Sequence, residues 1–190
     1  MEKELSSYLR ENEKVLWQGK TDTFPLLDQV TKFKTLVKWI VTAAVTAGLL
    51  ALYMTKNEER SIGFIGLVLV VAVIVAAAPI MERRSLLGQK YWITDQRAIM
   101  MSRDKTFYYM DLAQIDDFKV VKDQAASVCL ALGSDVFGDA EKQLRWRACH
   151  PKIDLQGQGP QDNVTGMIFY CVGNAEGAAA VLRQRGAKAA

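Results

Sequence analysis

The sequence predicts a membrane α-helical hairpin joined to an all-β or α+β domain, a seven-stranded antiparallel barrel or sandwich closed by a C-terminal helix. Three observations predict it. Two uncharged apolar stretches lie in the middle of the 190-residue chain. After Gly88 the apolar period switches to two, which is typical of strands, and an amphipathic helical stripe follows near the C-terminus.

The two apolar stretches predict transmembrane helices at 36–55 and 61–81, joined by a short external turn at 56–60. A helix needs about 20 residues to cross a hydrocarbon core of about 30 Å. Trp39 and Tyr53 lie near the ends of the first span, where aromatic belts are expected. The alternative is a pair of buried core helices in a soluble protein, but little else in the chain could cover them.

Small residues recur four apart within both spans, which lets helix backbones approach closely. They are Ala43, Ala47 and Ala51 on the first helix, and Ala72 and Ala76 on the second. Packing within the hairpin is favoured over packing between subunits. Neither uncharged stretch, 39–55 or 61–81, contains an acid, a base or a histidine, which disfavours a channel or transporter.

The charges that flank the hairpin predict its orientation. Six juxtamembrane basic residues lie outside the connector, against two within it; the six are Lys32, Lys34, Lys38, Arg83, Arg84 and Lys90. The positive-inside rule therefore places both termini in the cytoplasm. The three widely spaced cysteines, Cys129, Cys149 and Cys171, form no C-x-x-C motif and are expected to be free thiols, in agreement with a reducing compartment.

Residues 1–35 are predicted to be a cytoplasmic lead segment with a short helix, a strand at 14–19 and an interfacial segment. The apolar residues from Phe24 to Phe33 either lie along the lipid headgroups or continue the first transmembrane helix downward.

The predicted domain covers 88–190 and contains seven strands. They are 91–93, 98–102, 106–110, 117–122, 127–132, 143–149 and 165–172. The strand at 143–149 alternates most cleanly, with Leu144, Trp146 and Ala148 inward and Arg145 and Arg147 outward. A helix is predicted over 175–185, with Asn174 as its N-cap and Gly186 as its stop.

The most suggestive polar feature of this domain is a basic group formed by Lys142, Arg145 and Arg147. It could contact anionic lipid headgroups or an acidic partner. The simpler alternative is a solvated sheet face.

No catalytic, cofactor or metal site is predicted. Cys149 and His150 are neighbours on a predicted strand and would point to opposite faces, as would Asp116 and Asp117. His150 is the single histidine, which excludes a multi-histidine metal centre, and a net charge of +3 is too small to indicate nucleic-acid binding.

Three pieces of the chain resemble the membrane-anchored branch of the bacterial pleckstrin-homology-like domain family. They are "ENEKVLWQGK" near the start, the two-helix hairpin, and "YWITDQRAIM", in which Tyr91, Ile93, Thr94, Arg97 and Ile99 match the family's first strand after the membrane segment. "MDLAQIDDFKV", with Leu112 and Ile115, is similar to the family's turn into the next strand. The resemblance implies a pleckstrin-homology-like fold, but Lys90, Arg97 and Arg103 form no compact phosphoinositide cluster.

These observations together favour a non-enzymatic, membrane-tethered interaction or scaffold module, expected to be oligomeric, on the cytoplasmic face of a bacterial inner membrane. Its expected partners are the lipid bilayer and either another protein or a second copy of itself, and no nucleic acid. Two alternatives remain: a module that binds anionic lipid headgroups, and an accessory subunit of a membrane transporter complex.

Overall fold

The computed structural model of the chain describes residues 3–27, 31–56, 61–122, 127–133, 137, 143–155 and 162–189. The chain divides into two compact units. Residues 25–84 form a helical unit, and residues 1–24 join residues 85–190 in a second unit, which we call the β-domain.

The helical unit contains two long helices, α2 (Thr31–Lys56) and α3 (Ile62–Leu87). Both are long and apolar enough to cross a membrane. Their apolar side chains face outward: Ile40 and Val73, for example, are each 67% exposed. This exposure is the opposite of what two core helices of a soluble protein would show. The predicted turn at 56–60 lies outside the described residues except for Lys56, which ends α2.

Aromatic residues hold the two helices of the hairpin together. The carbonyl of Ala76 on α3 accepts a hydrogen bond of 3.0 Å from the indole of Trp39 on α2. At the other end, the ring of Tyr53 lies 4.3 Å from that of Phe64. Trp39 and Tyr53, which the sequence predicts at the aromatic belts, therefore also join the helices.

The predicted packing of the alanine face of α2 is wrong. Ala43, Ala47 and Ala51 are exposed, whereas Thr42 and Thr46 on the neighbouring face are half-buried. The Thr42 hydroxyl also donates to the carbonyl of Lys38, 2.7 Å away, so the threonine can face its neighbour helix without an unpaired polar group. On α3 the small residues Ala72 and Ala76 are half-buried, as predicted.

The lead segment begins with one helical turn, α1 (Lys3–Ser6), and continues into strand β1 (Val15–Lys20), where a strand is predicted at 14–19. Residues 25–27 are not helical, and α2 begins at Thr31, so the described part of the predicted interfacial segment splits between a loop and a downward extension of the first long helix.

Two antiparallel sheets form the β-domain. The first has the order β1, β2 (Lys90–Thr94), β3 (Arg97–Met101), β4 (Phe107–Asp111). The second has the order β7 (Met167–Phe169), β6 (Val128–Leu132), β5 (Asp117–Lys122), with a short strand β8 (Lys188–Ala189) parallel to β5. The described strands do not close into a barrel. Of the two predicted alternatives, the barrel is therefore wrong, and the arrangement of two sheets remains.

Strand β1 changes the domain boundary. It pairs antiparallel with β2, and Lys20 lies opposite Lys90, so the hairpin is inserted into the connection between two neighbouring strands. The predicted domain 88–190 therefore lacks its first strand, because the chain leaves the sheet after β1 and returns to it at β2.

The core lies between the two sheets and under helix α5 (Ala175–Gln184). Phe169 stacks on Tyr91, with ring centroids 4.5 Å apart, and on Trp17, 5.9 Å away. Ala178 and Leu182 of α5 are fully buried in the same cluster. A second cluster on the outer face of the first sheet packs Leu5, Tyr8 and Leu9 of the lead segment against Trp92 and Ile99.

The ends of α5 are as predicted. The side chain of Asn174 accepts a hydrogen bond of 3.1 Å from the N–H of Gly177 and so caps the N-terminus. Gly186 has φ +93°, and its N–H and that of Ala187 return to the carbonyls of Arg183 and Leu182. This is a Schellman ending, which needs a left-handed residue that glycine adopts without strain.

One predicted strand is wrong. Residues Leu144–Cys149 form a helix, α4, because the buried pair is Leu144 and Ala148, four residues apart on one helical face. Trp146, which alternation would turn inward, is 48% exposed. The last predicted strand, 165–172, shortens to β7, and six of the seven predicted strands form.

Candidate interaction surface

Helix α4 packs where the β-domain joins the long helices. Leu144 and Ala148 share a buried cluster with Phe24 and Leu86, the residues at which the chain leaves and re-enters the domain. The side-chain amide of Gln89 donates a hydrogen bond of 2.6 Å to the carbonyl of Ala148. These contacts fix α4 to the junction, and a 3-10 turn, Pro151–Asp154, follows it.

The structure breaks up the predicted basic group. Lys142 lies outside the described residues. The guanidinium of Arg145 lies over the ring of Phe24, 5.2 Å from its centroid, and the residue is half-buried. Arg147 forms an ion pair with Asp154 in which both side chains are largely buried. The two arginines therefore do not form the outward pair that a strand would have presented.

Apolar side chains occupy the exposed face instead. Trp146 is 48% exposed and Ile153 is 54% exposed. Both are tied to His150: the Trp146 ring lies 5.0 Å from the imidazole, and the N–H of Ile153 donates to the His150 carbonyl. Lys152, between them in the chain, is exposed. We call residues 144–154 the α4 segment.

The juxtamembrane basic residues separate into three groups. Lys32, Lys34 and Lys38 are exposed on α2, and on α3 Arg84 is exposed while Arg83 is half-buried. Lys90 is half-buried on β2, opposite Lys20. The six basic residues that flank the predicted hairpin thus belong to two helices and one strand.

A buried ion pair joins the lead segment to the first sheet, and sequence reasoning missed it. The guanidinium of Arg97 donates to both carboxylate oxygens of Glu13, at 2.9 and 3.1 Å, and to the carbonyl of Tyr8 at 2.8 Å. Thr94 donates to the same carboxylate at 2.7 Å. Glu13, Thr94 and Arg97 lie in the two quoted motifs that resemble the pleckstrin-homology-like family, so the structure brings these motifs together.

Aromatic rings enclose this ion pair. The guanidinium of Arg97 lies 4.8 Å from the centroid of Tyr8 and 4.9 Å from that of Tyr109. Burial alone would raise the pKa of Glu13, but hydrogen bonds from Arg97, the backbone of Arg10 and Thr94 outweigh it and hold that pKa below its ordinary value. Burial, with the charge of Asp162, raises the pKa of Tyr8 to about 12.

A second buried network links the lead segment to the α4 segment. The Tyr91 hydroxyl lies 2.8 Å from the Thr21 hydroxyl, donates to the Gln89 side chain at 2.8 Å and accepts from the N–H of Tyr170 at 3.1 Å. Gln89 then reaches Ala148 as described above. Burial raises the pKa of Tyr91 well above its ordinary value, so the hydroxyl stays neutral.

The other titratable groups considered from sequence show no catalytic arrangement. Cys149 ends α4 rather than lying on a strand, and the Nδ1 of His150 lies 2.8 Å from the Trp146 carbonyl. Asp116 and Asp117 line a surface recess with Arg185. Within the described ranges, no group of three or more His, Cys, Asp or Glu side chains could hold a metal ion.

Comparison with known proteins returns no relative: no family model, no curated protein and no solved structure matches the chain.

Proposed function

We propose that this chain is a two-span membrane protein whose β-domain is a pleckstrin-homology-like, non-catalytic interaction or scaffold module on the cytoplasmic face of a bacterial inner membrane. The observation that carries the proposal is the insertion of the hairpin between the paired strands β1 and β2. A domain attached through both strands is tethered to the membrane at two points of its chain, which keeps it at the membrane surface where it can meet a partner.

Exposed apolar side chains along α2 and α3 support the membrane part of the proposal, because bilayer lipid is the solvent that such a surface suits. The basic residues on the domain side of both helices support a cytoplasmic domain. Two sheets followed by one C-terminal helix agree with the architecture that the resemblance implies.

A non-catalytic role is supported by the partners of the buried polar groups, which are other groups of the same domain. Glu13 and Arg97 satisfy each other, and the Tyr91 hydroxyl bonds to groups of the fold on three sides. Such groups stabilise the domain, because each is bonded within the fold and not directed at a substrate. A tether also raises the local concentration of weak partners, so a module of this kind need not bind tightly. Either a protein or a second copy of the chain can be that partner.

Protease protection tests the tether and its orientation. Full-length protein in membrane vesicles of defined sidedness is treated with a protease. The proposal expects the β-domain to be digested only in inverted vesicles, while the hairpin stays protected in both. Digestion in right-side-out vesicles, or release of the intact chain by alkaline carbonate, contradicts it.

Cross-linking tests the interaction role. Lys14 is exposed and precedes β1, at the end of the strand opposite to the one from which the chain continues into the hairpin, and six residues at 3.3 Å each make the strand about 20 Å long. A photoreactive residue at this position in the full chain, activated in native membranes, is expected to give an adduct of discrete mass. The matched position is Ile62 at the start of α3, from which lipid adducts are expected. Only lipid adducts from both positions would contradict a protein-binding role.

A further inference from the structure

The β-domain exposes few large apolar side chains. In its described part, the exposed ones are Leu16, Trp146 and Ile153, and two of these three lie in the α4 segment. Tryptophan is amphipathic, with an apolar ring system and one N–H donor, and it is enriched where a protein meets the headgroup layer of a membrane. The surface around Trp146 therefore suits a partner that offers both an apolar layer and hydrogen-bonding groups.

The packing of α4 indicates which surface it meets. Its buried face belongs to the same apolar cluster of the β-domain as Phe24 and Leu86. Leu86 follows Met81, the last residue of the second uncharged stretch, by five positions of the same helix, or about 8 Å at 1.5 Å per residue. Chain connectivity alone thus keeps the α4 segment within reach of the headgroups of the membrane that the hairpin spans.

The charge around Trp146 indicates the kind of lipid. The α4 segment contains three basic side chains, Arg145, Arg147 and Lys152, against one acid, Asp154. Asp154 is already paired with Arg147. Lys152 is exposed next to Ile153, and its long stem can lie along the apolar layer while its amine stays among phosphates. An acidic protein surface would match the charge as well, but the short chain distance from Leu86 to the membrane span favours lipid.

We infer that the α4 segment is an interfacial anchor: Trp146 and Ile153 insert into the headgroup layer of an anionic bilayer, and Lys152 pairs with lipid phosphates. This inference rests on the proposed membrane tether and adds a third contact to it.

Fluorescence quenching by brominated lipid tests the anchor in the full chain. The protein is reconstituted in phosphatidylcholine vesicles with or without phosphatidylglycerol, in which some lipids carry bromine near the headgroup end of their acyl chains. Trp17 and Trp92 are 8% and 4% exposed and report little. Trp39 of α2 and Trp146 are the indoles expected to reach lipid, so Trp146→Phe should remove about half of the quenched signal.

Two variants make the test specific for charge. Lys152→Gln should reduce the quenching of Trp146 in anionic vesicles, and omission of phosphatidylglycerol should do the same. Lys14→Gln removes an exposed lysine at the far end of β1 and should leave the quenching unchanged. Equal effects of the two lysine variants would overturn the role of Lys152.

Equal quenching of the wild type and Trp146→Phe in anionic vesicles would overturn the anchor, while quenched Trp39 would still support the tether. Absence of quenching in Trp146→Phe, which retains Trp39, would overturn the tether and with it the anchor. Because Trp146 is exposed, its replacement is not expected to unfold the domain, and an unchanged thermal transition in detergent confirms that the variant is folded.

Discussion

Arg97 and Arg147 both form ion pairs, yet the two pairs differ in what they join. Arg97 reaches Glu13, 84 positions away, and closes the lead segment onto the first sheet. Arg147 reaches Asp154, seven positions away, and ties α4 to the turn that follows it. The first pair holds distant parts of the chain across the hairpin insertion, and the second organises a local segment. A basic residue therefore indicates a binding surface only after its acidic partner has been found.

The largest expected effect comes from breaking the long-range pair. Arg97→Ala leaves the buried carboxylate of Glu13 without its counter-charge, which should lower the free energy of unfolding by about 3–5 kcal/mol. Arg97→Lys should recover only part of this loss, because an ammonium cannot make the two-pronged contact. Chemical denaturation of the full chain in detergent, followed by tryptophan fluorescence, measures both values.

Lys152→Ala is the matched control for that experiment. It removes an exposed cation from the α4 segment and should change the unfolding free energy by less than about 0.5 kcal/mol. If Arg97→Ala costs no more than Lys152→Ala, the buried pair does not hold the lead segment.

A smaller effect is expected at Tyr91, which connects the two regions through Thr21 and Gln89. Tyr91→Phe keeps the ring but removes the hydroxyl that these groups and the N–H of Tyr170 share. Leaving buried polar groups unsatisfied should cost about 1–3 kcal/mol. Amide hydrogen exchange should also speed up at Thr21 and in α4, since the network contacts both. Faster exchange in only one of them would show that the network does not link them.

The long-range pair also predicts a response to acid. Because the pKa of Glu13 is lowered in the folded chain, its contribution to stability is fully present above its ordinary value of about 4.3 and is lost as the pH falls through the lowered value. Wild-type stability should thus fall on acidification more steeply than that of Glu13→Gln. Denaturation midpoints between pH 6 and pH 3 (a range chosen to bracket the ordinary value of about 4.3) compare the two slopes, and parallel slopes would contradict the lowered pKa.

The smallest effect on stability is expected at Trp146. Trp146→Ala removes a side chain that is 48% exposed and should shift the unfolding free energy by less than about 1 kcal/mol. Leu16→Ala, at an exposed position of β1, is the matched control. A loss at Trp146 that approaches the loss at Arg97 would mean that the indole is structural, and it would contradict the contrast between the two regions.

Local sequence patterns predicted the features that depend on residues close together in the chain. Hydropathy and length predicted two long helices, alternation predicted six strands, and Asn174 and Gly186 predicted the ends of α5. The helix α4 was misread because Leu144 and Ala148 satisfy both periods: they are four apart, as on one helical face, and also an even number apart, as on one face of a strand. In so short a segment only the tertiary contact with Phe24 and Leu86 selects the helix.

The candidate surfaces were harder to predict because they depend on pairing over long distances. Thr94 and Arg97 look like a turn when read alone, and Glu13 looks like one charge among several before a strand. Their contact requires β1 to cross the hairpin insertion and pair with β2, which local periodicity does not indicate. One signal was present: Glu13 and Arg97, which have opposite charges, lie in the two quoted motifs on either side of the hairpin.

The central claim is that the segment before the hairpin completes the domain after it, and a fragment comparison tests this most directly. One fragment is 88–190; the other joins 1–24 to 85–190 through a short glycine-serine linker that replaces the hairpin. The account predicts a dispersed proton–nitrogen correlation NMR spectrum for the joined fragment and a collapsed one for 88–190, which lacks β1 and Glu13. Two equally dispersed spectra, with the same resonance positions for β2 to β7, would contradict it.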